Sequence, residues 1–182
     1  MLAKGFGATT VDEICNAAGL TKGGFFHYFR SKEDLGKAVL DRFCRSQFEM
    51  LGNGKSPLLK SQDPLERLYG WVDSAIEASK SPVGRKGCLL GNFAQELSDT
   101  NPKFRSQCAQ LFSYWAEQLK KELDEAEATY LSEKRLDTQG LAEHFIAVLE
   151  GSLILGKAKQ DMKVVEKNLR HFKRYLQALF ER

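Results

Sequence analysis

The sequence is poor in the residues and motifs from which most catalytic sites are built. Its 182 residues include three histidines, His27, His144 and His171, and no two of them have the spacing of metal ligands on a helix. It contains no glycine-rich phosphate loop and no nucleophile turn of the kind found in hydrolases. These absences argue against an enzyme, and we expect no catalytic site, no metal and no cofactor.

Cysteines, prolines and long apolar runs are also few. Four cysteines without a CxxC pair argue against a disulfide framework or a zinc site and favour reduced thiols. The chain has no run of about 20 apolar residues and no signal-peptide pattern, so we expect a cytoplasmic protein without a membrane span. With 4 prolines and no alternating apolar pattern, the sequence favours an all-α fold. The net charge of +3 is too small to identify a partner.

Three helix starts follow one another closely between residues 9 and 40. Thr10 and Glu13 have capping-box spacing at the head of the first helix, and Gly19 suits the left-handed position at its end. Thr21 caps a second helix over about residues 22–29, and Ser31 caps a third. The first helix carries one apolar stripe, formed by Val11, Ile14, Cys15 and Ala18. Two short helices joined by a glycine-containing turn predict a helix-turn-helix unit.

The second of these helices has the features of a DNA-recognition helix. Its first turn contains Gly23 and Gly24, which weaken the helix by roughly 1 kcal/mol each but let its backbone approach a major groove closely. Phe26 and Phe29 are three residues apart and are expected to pack inward. We expect DNA contacts from Thr9, Thr10, Thr21, Lys22, Gly23, Gly24, Phe25, His27, Tyr28 and Lys32.

Residues 5–35 resemble the DNA-binding domain of the tetracycline-repressor (TetR) family. The resemblance is gap-free and rests on Gly5-Phe6, Ala8-Thr9-Thr10-Val11, Ile14, Ala17-Ala18-Gly19-Leu20, Lys22-Gly23, Phe26, Tyr28-Phe29 and Ser31-Lys32-Glu33-Asp34-Leu35. It implies an all-α chain of about nine helices, with a helix-turn-helix domain over residues 1–46 and an effector-binding and dimerisation domain over residues 47–182. Family members carry a full helix before the Gly-Phe pair, so we expect residues 1–4 to be the remainder of a truncated first helix.

The last two predicted helices carry apolar stripes with two interpretations. Between residues 165 and 179 apolar side chains recur at spacings of 4, 3, 4 and 3, a heptad-type seam. Such stripes seal the chain's own core, and in TetR-like proteins they also pair with a second copy. A homodimer suits a palindromic site, because two recognition helices must lie about 34 Å apart to read successive major grooves. The expected dimer interface consists of Phe145, Val148, Leu155, Val165, Leu169, Phe172, Leu176 and Leu179.

The middle of the chain is rich in aromatic residues, and we expect an effector pocket there. Small-molecule sites are mostly apolar cavities that contain a few polar groups. The expected lining consists of Trp71, Cys88, Asn92, Phe93, Glu96, Phe112 and Trp115.

Cys88 has two interpretations of its own. It follows Arg85 and Lys86 and stands near a helix start, where cations and the helix dipole favour the thiolate. The segment also resembles a TetR subgroup in which a cysteine at this position senses electrophiles or oxidants. The alternative is a buried structural cysteine, the commoner state of a free thiol.

The residues and the resemblance together favour a DNA-binding transcriptional regulator. The leading hypothesis is a homodimeric repressor that is released from palindromic double-stranded DNA by a small molecule or an electrophile of unknown identity. The alternative is a dimeric ligand-binding or interaction module in which DNA binding is impaired.

Overall fold

The computed structural model describes residues 1–52, 60–132 and 136–180, with side chains described up to Ser46 in the first of these ranges. Over these residues the fold is all-α, as predicted, and contains eight α-helices. In chain order they are α1 (Val11–Ala18), α2 (Lys22–Tyr28), α3 (Lys32–Gly52), α4 (Pro64–Lys80), α5 (Leu89–Leu97), α6 (Pro102–Tyr130), α7 (Thr138–Lys159) and α8 (Lys163–Phe180).

The helices begin where the sequence places capping residues. The Oγ1 atom of Thr10 accepts a hydrogen bond from the N–H group of Glu13 at 3.2 Å, and the Glu13 carboxylate accepts the N–H group of Thr10 at 2.9 Å. This reciprocal capping box starts α1 as predicted. Asp63 caps α4 through the N–H group of Leu65 at 2.8 Å, directly before a proline in the first turn.

The main core lies among α4 to α8. Helix α6 packs against α4, α5 and α7, and helix α8 packs against α4 and α7. Leu68 and Val72 of α4 and Leu119 and Leu123 of α6 belong to this core, and all four side chains are buried. Helix α3 leaves the N-terminal helix pair and packs on α5 and α6, so the small N-terminal unit rests on the larger one through α3 and α5.

Most of the predicted dimer seam lies inside a single chain. The side chains of Val165 and Leu169 are 0% exposed, and those of Phe145, Phe172 and Leu176 are also buried. The prediction that Val165 and Leu169 form the interface is therefore wrong, because α4 and α7 already cover the apolar stripe of α8, whereas the interface role of Phe145, Phe172 and Leu176 remains a prediction. The remaining predicted interface residues are Leu155, which is 45% exposed, and the half-buried Val148 and Leu179.

The predicted boundary between residues 46 and 47 falls inside the continuous helix α3, and the two-domain division remains a prediction. The glycine, serine, lysine and proline content of residues 52–62 also predicts a loop, and residues 53–59 of this segment lie outside the described residues. Residues 2–4 form a turn, and the N–H group of Gly5 donates to the carbonyl oxygen of Met1 at 2.8 Å. In the described ranges no helix combines the length and the apolar character that crossing a membrane requires.

Candidate nucleic-acid interface

A three-residue turn joins α1 to α2. Gly19 adopts the left-handed conformation at φ 65°, as predicted, and the N–H group of Leu20 donates to the carbonyl oxygen of Cys15 at 2.9 Å. Thr21 then caps α2, because its Oγ1 atom accepts the N–H group of Gly24 at 3.1 Å. The backbone of the turn is thereby fixed by local hydrogen bonds, and the start of α2 is held next to the end of α1.

Helix α2 turns a different aromatic side chain inward from the one we predicted. Phe25 is buried with Cys15, and its ring lies 5.7 Å from that of Phe29. The predicted DNA contact of Phe25 is therefore wrong. Phe26 was expected to pack inward, but its side chain is 54% exposed. Residues 25 and 29 are one helical turn apart, as are residues 26 and 29, so helical periodicity alone does not distinguish the two pairs.

The outer surface of α2 carries a cation, two aromatic side chains and bare backbone. Lys22 and His27 are exposed, and Tyr28 is 73% exposed. The Nζ atom of Lys22 lies 2.9 Å from Oδ1 of Asp12, and both side chains are mostly in solvent. Because such exposed ion pairs contribute less than about 1 kcal/mol, the ammonium can exchange this carboxylate for a phosphate. Exposed aromatic side chains such as Phe26 suit contact with a thymine methyl group.

Gly23 leaves the start of this surface open. If a Cβ atom were added there, its nearest neighbour beyond the local helix backbone would be Oγ1 of Thr21, 3.8 Å away. The protein itself therefore has room for a side chain at this position. The glycine instead exposes the α2 backbone, which allows close approach of another surface such as a DNA groove.

Two predicted DNA contacts prove to be internal supports. The ammonium group of Lys32 donates hydrogen bonds to the carbonyl oxygens of Phe6, Gly7 and Thr9 at 2.9, 3.2 and 2.9 Å. The Thr9 side chain is buried, and its hydroxyl donates to the carbonyl oxygen of Gly5 at 2.6 Å. The predicted DNA contact of the Thr9 side chain is wrong, because it is buried, whereas Lys32 is partly exposed and its DNA contact remains a prediction. We call residues 5–9 the N-terminal loop.

Thr10, by contrast, stays at the surface, where its DNA contact remains a prediction. Its hydrogen-bond partner Glu13 also pairs with Lys4. The hydrogen bond from Lys4, followed by those from Thr10, lowers the pKa of Glu13 to about 2. The carboxylate therefore stays ionised at neutral pH, and it keeps the first turn of α1 attached to the segment that precedes the N-terminal loop.

Glu96 and Phe93 of α5 also support the N-terminal loop, and their place in the lining of an effector pocket remains a prediction. The carboxylate oxygens of Glu96 accept the N–H groups of Phe6 at 2.7 Å and Gly7 at 2.5 Å. The Phe93 ring packs edge-on against the Phe6 ring with a centroid distance of 5.5 Å, and both rings contact Phe104 of α6. These partners are about 90 residues apart in the chain, so sequence periodicity carries no signal for them.

The other predicted pocket residues lie on α4, α5 and α6. Trp71, Phe112 and Trp115 are half-buried against the core, and the rings of Phe112 and Trp115 pack edge-on at 6.4 Å. Asn92 donates from Nδ2 to the carbonyl oxygen of Lys86 at 3.4 Å, at the end of the 3-10 turn Gly84–Lys86. An effector site along the aromatic side chains of α4 and α6 remains a prediction.

Cys88 stands directly before α5, but its thiol is not activated. The side chain is 8% exposed, and burial, followed by the nearby carboxyl group of Glu150, raises the pKa of the thiol well above its ordinary value. Arg85 and Lys86 are exposed at the surface. The burial of Cys88 favours the second interpretation, a structural cysteine, because desolvation opposes ionisation more strongly than the local positive charge favours it. Burial also raises the pKa of Glu150, whose Oε1 atom has no hydrogen-bond partner among the described residues.

We expect Cys88 to react slowly with iodoacetamide in the native protein at pH 8. The thiolate is the reactive form, and each unit by which a thiol pKa rises above the pH lowers the thiolate fraction about tenfold. Alkylation should therefore be at least about tenfold slower than in the same protein unfolded in guanidinium chloride, and it should accelerate as the pH rises. Mass spectrometry of the Cys88 peptide measures both rates, and equal rates would contradict the protonated, buried thiol.

These features define a class of protein before any comparison is made. A capped helix pair that presents bare backbone and exposed side chains on its second helix, carried by a larger helical domain, is a helix-turn-helix nucleic-acid-binding protein. The chain belongs to the tetracycline-repressor family of bacterial regulatory proteins. The family's N-terminal domain, described as "Bacterial regulatory proteins, tetR family", matches residues 1–39, and a tetracyclin repressor-like C-terminal domain matches residues 64–172.

Individual relatives match over most of the chain. The chain is 30% identical to the transcriptional repressor DhaR of Mycobacterium sp. (strain GP1), over 99% of this chain and 84% of that protein. It is 32% identical to the transcriptional regulator AcuR of Cereibacter sphaeroides, over 85% of this chain and 69% of that protein. A crystal structure of a TetR regulatory protein from Rhodobacter sphaeroides is similar with a TM-score of 0.83 at 30% identity, covering 95% of this chain and 90% of that one.

Proposed function

We propose that the protein is a transcriptional repressor that binds a palindromic operator as a homodimer and leaves it when a small-molecule effector binds. The observation that carries the proposal is the open start of α2, where Gly23 uncovers the backbone beside the exposed Lys22. Repression is supported by the relatives, because DhaR, which is similar over nearly the whole chain, is named a repressor.

A second copy fits best on the outer face of α7 and α8. Ile154, Leu155 and Tyr175 are each about half exposed there, which is unusual for large apolar side chains on adjacent helices. Leu155 and Tyr175 line a groove of about 460 Å³ together with His144, Val148 and other residues of α7 and α8. Pairing of this face about a two-fold axis would cover the apolar surface and fix the spacing of the two α2 helices.

The effector is more compatible with reversible binding than with a covalent signal. An electrophile sensor needs a thiolate, whereas the pKa of the Cys88 thiol is raised by burial. The half-buried rings of Trp71, Phe112 and Trp115 offer the apolar surface on which small molecules usually bind. We therefore favour a small molecule that binds noncovalently near α4 and α6. Its binding would favour a state in which the two α2 helices of the dimer no longer fit the major grooves of the DNA.

Operator binding should depend steeply on salt. We expect the protein to bind a fluorescein-labelled duplex taken from upstream of its own gene, with an affinity that falls about a thousandfold between roughly 50 and 200 mM salt, as neutralised phosphates release counterions. Fluorescence anisotropy measures the affinity, and a scrambled duplex of equal length is the control. Equal, weak binding to both duplexes would favour the alternative of an interaction module with impaired DNA binding.

A further inference from the structure

The N-terminal loop is held by charged groups from two different helices. Helix α5 supplies a carboxylate to the loop's N–H groups through Glu96, and helix α3 supplies an ammonium group to its carbonyl oxygens through Lys32. Hydrogen bonds to ionised groups are about twice as strong as those between neutral groups. The loop leads directly to Thr10, the cap of α1, so its position determines where the helix-turn-helix unit begins.

The contact between the loop and α5 is close as well as polar. Gly5 has φ +89°, and an added Cβ atom there would lie 2.8 Å from Oε2 of Glu96. Only glycine fits at this point without displacing the carboxylate or straining the backbone. The Phe6 ring adds an apolar contact with Phe93 on the same helix. The loop therefore has little freedom to shift while its bonds to α5 remain intact.

Helix α5 connects this contact to the interior of the larger domain. It has nine residues and is therefore about 13.5 Å long, so its two ends contact different parts of the fold. At its start, Cys88 lies beside the partly buried Glu150 of α7, and near its end Glu96 binds the loop. A displacement of α5 must therefore move the loop with it or break the two hydrogen bonds to Glu96.

We propose that Glu96 is a positioning residue for DNA reading, which sets the placement of α1 and α2 according to the position of α5. This inference rests on the proposed function, since it assumes that α2 binds DNA. The route runs through the N-terminal loop, and it makes DNA binding and the packing around Cys88 depend on each other. By linkage, operator binding must tighten that packing by the same factor by which the packing favours binding.

The test compares Glu96→Ala with Gln95→Ala. Gln95 is an exposed neighbour on α5 that donates from Nε2 to the carbonyl oxygen of Gly91 in its own helix, so it is a matched control. We expect Glu96→Ala to weaken binding of the upstream duplex about tenfold and Gln95→Ala to leave it unchanged. Glu96→Gln keeps an acceptor for one N–H group and should show a smaller loss.

A second readout separates positioning from a general loss of structure. In the wild-type protein, saturating operator DNA should slow the alkylation of Cys88 by iodoacetamide about tenfold, whereas in Glu96→Ala saturating DNA should leave the rate unchanged. The proposal is overturned if Glu96→Ala binds as tightly as wild type, or if DNA still protects Cys88 in the variant.

Failure of the proposed function gives a different result. If the wild-type protein does not bind the upstream duplex at all, repression is contradicted, and amide hydrogen exchange without DNA then decides the positioning role. Exchange in α1 should be faster in Glu96→Ala than in wild type and unchanged in Gln95→Ala. Equal protection of α1 in all three proteins would overturn the role of Glu96.

Discussion

Replacing Gly23 with leucine is expected to abolish specific operator binding while the protein stays folded. The position has room for a side chain, since its nearest neighbour beyond the local helix backbone is Oγ1 of Thr21 at 3.8 Å. Leucine is also a better helix former than glycine, by up to about 1 kcal/mol. The new side chain would project where the DNA must lie. Because each good base contact contributes about 1–3 kcal/mol, the loss of one or two such contacts weakens binding about a hundredfold or more.

The experiment measures affinity and stability on the same samples. Fluorescence anisotropy with the upstream duplex gives the affinity, and circular dichroism gives the melting temperature. Ala128→Leu is the matched control, because it adds a leucine at an exposed position of α6, outside the helix-turn-helix unit. Gly23→Ala should show a smaller loss than Gly23→Leu. Wild-type affinity in Gly23→Leu would mean that the start of α2 does not face the DNA.

The parts of the fold that were predictable depend on contacts close in the chain. Thr10 with Glu13, and Asp63 with Pro64, start helices through bonds and conformational limits that span three residues or fewer. Such contacts are present in almost any tertiary setting, so the sequence patterns that mark them predict helix ends well. For this reason the starts of α1 and α2 agree with the sequence.

Around the helix-turn-helix unit, the sequence does not reveal the role of a side chain when a partner distant in the chain decides that role. Lys32 looks like a phosphate ligand, but the carbonyl oxygens that it binds lie 23 to 26 residues earlier. Glu96 looks like a polar group of a pocket, but the backbone that it binds lies about 90 residues away. The type of charge was visible in both cases. The partner of the charged group was not visible in the sequence, because it depends on how α3 and α5 pack.

Cys88 illustrates a second case, in which burial overrides local charge. Two cations and a helix start are nearby in sequence and favour the thiolate. The fold turns the thiol inward beside Glu150, and desolvation then raises its pKa. Sequence patterns report which charges are close along the chain, but the cost of ionising a group is governed by how much water reaches it.

The substitution Leu155→Glu is expected to convert the proposed homodimer into a folded monomer that no longer binds the operator. Leu155 is 45% exposed on the outer face of α7, so the substitution removes little contact within the chain. In a two-fold interface each substitution occurs twice, and both charges lose water without gaining a partner. Without the dimer the two α2 helices are no longer held about 34 Å apart, so affinity for the palindrome falls.

Leu169→Ala on α8 provides the contrasting result. It is expected to change the stability of a single chain, whereas Leu155→Glu is expected to change the association of two chains. Leu169 is 0% exposed within one chain, so its truncation should lower the free energy of unfolding of the monomer by about 2–5 kcal/mol. Sedimentation velocity gives the oligomeric state, and urea denaturation gives the stability. Leu155→Glu should change the first measurement, whereas Leu169→Ala should change the second. A dimer that survives Leu155→Glu would exclude this α7 surface as the interface, because an apolar two-fold contact cannot retain two unpaired carboxylates at its centre without losing affinity.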